Sequence, residues 1–161
     1  MTPPSGGGFI LRWRGSASGQ AVGAAPMCSG RGLDVLVAKD GAEEFYRRLE
    51  RSGTKWVLPD GMLLDVLEED AAWVAEALAT PAAGPDGLPV IALPYLVLLK
   101  MRASRGIDIG DLTRMLGAAD EADLEKTRQV IRAHMSDGEK DLESLIQLGQ
   151  LEYMGTRDSQ L

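Results

Sequence analysis

Two aspartates stand inside runs that are otherwise apolar: Asp34 in Leu33-Asp34-Val35-Leu36-Val37, and Asp65 in Met62-Leu63-Leu64-Asp65-Val66-Leu67. An ionised carboxylate in such surroundings is costly unless it is protonated, paired or bound to a cation. Two carboxylates facing one pocket are a common way to hold Mg2+ against a substrate phosphate. The structural alternative is that each aspartate caps a turn near a strand end or meets an arginine. Gly15-Ser16 lies upstream in a glycine-rich stretch whose backbone amides could cradle phosphate oxygens, although such stretches are also ordinary loops. Arg31 could steady a phosphate or pair with Asp34. Lys100 closes an apolar helix, where its ammonium could reach a triphosphate or extend to water. Asp108 and Asp111 suit helix capping. Neither a dinucleotide-binding fingerprint nor a Walker-type lysine pattern is present.

The remaining reactive side chains read as structure. Cys28 is the only cysteine, so an internal disulfide is excluded and a reducing compartment fits. His134, the only histidine, falls late in an amphipathic helix, where a partly charged imidazole is favourable. Trp13, Trp56 and Trp73 are expected to pack in the core or at its rim.

The elements that must position these residues follow from hydrophobic period and turn chemistry. Leu33–Val37 is a short buried strand. Asp40 with Glu43 predicts a helix start, and the helix continues through Phe45 and Leu49 to Gly53. Residues 55–58 and 62–67 predict a hairpin about Pro59-Asp60-Gly61. Asp70 opens a helix carrying Trp73, Val74, Ala77 and Leu78. After a Pro/Gly joint over residues 81–89, Pro94 begins a helix that is apolar on every side and is expected to bury against the sheet. Three amphipathic helices follow, through Leu112, Met115 and Leu116; through Leu124, Thr127, Ile131 and Met135; and through Leu142, Leu145, Ile146 and Leu151. Residues 1–8 predict a loose tail rather than a signal peptide, and the end of the chain after Gly155 is expected to fray.

Several of these stretches together resemble the nucleotidyltransferase-fold (DNA polymerase β-like) superfamily, especially its small bacterial abortive-infection-type members. Gly15-Ser16 resembles the family's first element. Ser29-Gly30-Arg31-Gly32-Leu33-Asp34-Val35-Leu36-Val37 resembles its acidic strand, and Leu64-Asp65-Val66-Leu67 the later strand with a further acid. Leu93 to Lys100, continuing through Arg105, Asp108, Asp111 and Leu112, resembles the helical segment after the sheet. The resemblance implies an α/β (α+β) fold, a nucleotidyltransferase-like mixed sheet flanked by helices and followed by a helical C-terminal segment. It would form one domain over residues 9–155, helical from 94 to 153, with 156–161 as a frayed tail. It also implies Asp34 and Asp65 as Mg2+ ligands and catalytic groups, and an NTP as substrate or ligand near Gly15, Ser16, Arg31 and Lys100. The family strand carries two aspartates at i and i+2; here Gly32 stands where the first belongs.

Two functions follow from these readings. One is Mg2+-dependent transfer of a nucleoside monophosphate from an NTP to an acceptor hydroxyl. The other is a catalytically degenerate module on the same fold, binding a nucleotide, a protein partner or a second copy. With a formal charge of −7 over 161 residues, the chain is a poor candidate for an extended nucleic-acid surface. A helix-turn-helix over residues 111–132 meets the same objection, since acids outnumber bases twelve to eight from Met101 onward. The longest apolar run, 90–99, is far short of a membrane span, so no membrane partner and a cytoplasmic location are expected.

Overall fold

Short β-branched and leucine-rich runs broken by turn residues build the first part of the chain, and long periodic helices build the rest. In the computed structural model residues 11–13, 32–38, 50–52, 55–57, 63–84, 89–103 and 106–158 are described. Before Glu69 that description is of the backbone, with the side chains of Leu36 and Leu67 added. Two compact units divide at residue 91, Met1–Ile91 and Ala92–Leu161.

The first unit contains strands β1 (Leu11–Trp13), β2 (Gly32–Ala38), β3 (Glu50–Ser52), β4 (Lys55–Val57) and β5 (Leu63–Glu69), helix α1 (Ala72–Ala79), then β6 (Ala82–Ala83) and β7 (Pro89–Val90). Their order across the sheet is β3-β4-β5-β2-β1-β7-β6. Its longest ladder pairs β2 with β5 in parallel, from Gly32↔Leu63 to Ala38↔Glu69. β4 and β5 pair antiparallel, with Trp56 opposite Leu64, as the Pro59-Asp60-Gly61 turn predicts. Residues 50–52 form a strand, not the last turn of the helix expected to run to Gly53, because they pair antiparallel with β4. The start of that expected helix lies outside the described residues. α1 buries the four side chains the helical period selects, Trp73, Val74, Ala77 and Leu78.

The second unit is helical throughout: α2 (Leu93–Ala103), α3 (Gly106–Ala118), α4 (Glu121–His134), a 3-10 turn (Ser136–Gly138) and α5 (Glu139–Asp158). Its apolar stripes supply Leu96, Val97, Leu98, Met101, Leu112, Leu116, Leu124, Ile131, Leu142 and Ile146, all buried. Each such side chain contributes roughly 1.5–3 kcal/mol on leaving water. Asp120 caps α4, its Oδ1 accepting the Asp123 amide hydrogen at 2.8 Å. Arg128 joins α4 to α5, donating to Glu143 at 2.7 Å and to Glu121 at 2.8 Å. The hydrogen bond to Glu143, then the one to Glu121, raises the guanidinium pKa and holds its proton more firmly than usual. α5 continues to Asp158, beyond the point where fraying was expected. Among the described residues no helix is long and apolar enough to cross a membrane.

The expected nucleotidyltransferase-like mixed sheet flanked by helices does not describe this chain. From Asp70 onward it is mostly helical, with five α-helices and only the antiparallel pair β6–β7 as sheet within that stretch. The physical reason lies in where apolar area can be buried. Strands of two or three residues hide little, whereas helices of 13, 14 and 20 residues carry long apolar stripes. Four of the five helices belong to the second unit and pack their stripes on one another there.

α3 and α5 approach closely because a glycine stands on each. A Cβ on Gly117 would collide with the backbone carbonyl of Gly149, and one on Gly149 with the Thr113 carbonyl oxygen. Both obstacles are backbone, so neither helix can yield locally. Gly149→Ala is therefore expected to lower the unfolding free energy by about 1–3 kcal/mol in urea titration. Gly110→Ala, with nothing within 4 Å of its added methyl, should raise it by up to about 1 kcal/mol through helix propensity.

Candidate functional site

The β2–β5 register makes Asp34 and Asp65 Cα partners on adjacent parallel strands. The side chains alternate along a strand, so each register row belongs to one face of the sheet. One row along that face, Leu11 is the partner of Leu36 and Leu36 the partner of Leu67. Leu36 is only 3% exposed and lies in the core, while Leu67 is half-buried. On the other side the row reads Gly32 and Leu63. Two acids thus share one row of the sheet. Adjacent strands lie about 4.8 Å apart, which suits two carboxylates sharing a single cation. The position two residues before Asp34, where a further acid would complete the family pattern, is Gly32.

The other expected site residues divide. Gly15, Ser16 and Arg31 lie outside the described residues. Lys100 falls in the second unit, and its ammonium meets two carboxylates: Asp108 Oδ1 at 3.0 Å and Asp111 Oδ2 at 2.9 Å. Its side chain is 4% exposed, so it does not extend to water. Asp111 also accepts from Arg114 at 2.7 Å through Oδ1. Asp108 stands in the first turn of α3, as a capping acid would, but both acids also turn their oxygens to Lys100. The two carboxylates answer the ammonium directly, and that pairing lets a lysine sit inside an apolar helix. Among the described residues no group of three or more His, Cys, Asp or Glu side chains is gathered as for a metal ion; the side chains of Asp34 and Asp65 are not among those described.

Sequence reasoning missed one member of the acidic row. Trp13 is the register partner of Asp34 across the β1–β2 ladder, a pairing between distant segments that no local signal encodes.

Removing the ammonium tests the helical cluster. Lys100→Met leaves Asp108 and Asp111 in place without it and should cost about 3–5 kcal/mol in urea unfolding. Adding Asp108→Asn and Asp111→Asn should recover part of that loss. Arg114→Ala, at a side chain 55% exposed, should cost less than about 1 kcal/mol. No family model matches the chain, and no curated protein matches it.

Proposed function

We propose that the chain is a nucleotidyltransferase-like protein that binds a Mg2+–nucleoside triphosphate at Asp34 and Asp65. The register pairing of these two residues on parallel strands is the observation that carries the reading. Its chemistry is transfer of a nucleoside monophosphate to an acceptor hydroxyl. The acceptor hydroxyl loses its proton to water as its oxygen forms a bond to the α-phosphorus, the bond from that phosphorus to the bridging oxygen breaks, and pyrophosphate leaves. A Mg2+ ion at such a site supplies polarisation of the phosphoryl oxygens and charge neutralisation. The paired carboxylates fix where that charge can sit, so alignment of donor and acceptor contributes without reorganisation of the protein.

A second reading keeps the binding and drops the transfer. It is favoured by Gly32, which leaves the acidic strand without the carboxylate that a second metal would require. Both readings place the same ligand on the same two acids.

Calorimetric titration with Mg2+–ATP should give saturable binding to the full chain. Asp34→Asn and Asp65→Asn should each weaken it at least about tenfold, the order of effect of removing a charged ligand group. Radiolabelled NTP then separates the readings, because only the transferase labels an acceptor or releases pyrophosphate. Absence of Mg2+-dependent binding at millimolar NTP would eliminate both.

A further inference from the structure

α4 stops at His134, and the chain passes through Met135 and the 3-10 turn Ser136–Gly138 before α5 begins. Met135 makes the stop. Its φ of −158° and ψ of 60° leave the helical region, while its amide still donates to the Ile131 carbonyl at 2.7 Å. Its own carbonyl accepts from the Gly138 amide at 2.9 Å, so one residue ties off α4 and closes the turn after it. The side chain of the same residue lies against that turn. A Cβ placed on the buried Gly138 would stand 3.1 Å from the Met135 Cε and 3.3 Å from its Cγ. The same position is 3.3 Å from the Cε of Met101, which comes from α2. Two methionine methyls thus converge on one glycine. Met101 is only 6% exposed, whereas Met135 is half-buried, so solvent reaches one member of the pair and scarcely the other.

We propose that Met135 is an oxidative modification site, at which a peroxide converts the thioether to a sulfoxide and thereby opens the turn between α4 and α5. The sulfur lone pair attacks one peroxide oxygen, an S–O bond forms and the O–O bond breaks. The proton of the transferred hydroxyl passes to the departing hydroxide, and water leaves. Sulfur is oxidised by two electrons and the peroxide is reduced by two. The product is polar where the thioether was apolar, and it is bulkier by one oxygen. A single carbon added at Gly138 is already crowded by both methyls, so little space remains on this side for that oxygen. The oxidised side chain leaves its place against Gly138, and the Met135 carbonyl loses its hold on the Gly138 amide. Enzymatic reduction of the sulfoxide reverses the change. The site is independent of the proposed nucleotide chemistry.

The test treats the full chain with hydrogen peroxide, locates the added oxygen by mass spectrometry of peptides, and follows amide exchange and urea unfolding. Met135 should be oxidised at least about fivefold faster than Met101, as accessibility governs the rate. In the oxidised chain the Gly138 amide should exchange at least about tenfold faster, and the urea midpoint should fall. Treatment with methionine sulfoxide reductase should restore both. Met135→Leu keeps the size and apolar character of the side chain, so peroxide should leave its midpoint and its Gly138 exchange unchanged. Met135→Gln, a permanently polar side chain of similar length, should show the fast Gly138 exchange without peroxide. Oxidation of Met101 as fast as Met135 overturns the site. Unchanged Gly138 exchange in chains oxidised at Met135 overturns the opening of the turn. A fall in midpoint as large in Met135→Leu as in wild type assigns the effect to another methionine and overturns the proposal.

Discussion

The cost of placing charge among apolar side chains governs both units of this protein. Lys100 sits in a helix whose neighbours are Leu96, Val97, Leu98 and Met101, all buried. An ammonium there would lose several kcal/mol of hydration, and Asp108 and Asp111 answer it at 3.0 and 2.9 Å. Arg114 adds a second cation to the same cluster through Asp111. In the other unit Asp34 and Asp65 lie side by side on β2 and β5, with the core residue Leu36 two positions along β2 from Asp34.

The helical unit illustrates how close packing is specified without polar contacts. Gly117 and Gly149 remove the side chains that would hold α3 and α5 apart, so the helices meet backbone to backbone. Along the rest of the unit, ion pairs such as Arg128 with Glu143 fix the relation of α4 to α5 from the partly exposed side. Their energetic share is small, because water competes for both partners. Apolar burial stabilises the unit, and the glycines and ion pairs select which packing it adopts.

The sequence was most legible where a single periodicity ran long enough to be unambiguous. Trp73, Val74, Ala77 and Leu78 are the buried face of α1, and Leu124, Thr127 and Ile131 that of α4, as a 3.6-residue period requires. The antiparallel pairing of residues 55–57 with those after 62 was equally readable, since a Pro-Asp-Gly sequence between two apolar runs is a strong hairpin signal. The fold class was not readable from short motifs. Gly-Ser pairs and single aspartates in apolar runs match a family pattern at a handful of positions, while the fold follows from where whole stripes are buried. Residues 50–52 show the same limit on a smaller scale. Their helical pattern gives way to strand pairing with β4, because an available edge outweighs weak local propensity.

Candidate site residues were legible one at a time but not as a set. Asp34 and Asp65 declare themselves by charge in apolar runs, yet their pairing depends on a parallel ladder between segments about thirty residues apart, and no local signal encodes that. Lys100, whose type and place suggested a ligand contact or a path to water, is buried and holds two acids of the next helix. Lys100 has Asp108 and Asp111 within eleven residues, so folding the helical unit is enough to bring them to it. Asp34 and Asp65 become neighbours only when two distant strands pair in parallel, so their row is a product of topology rather than of local sequence.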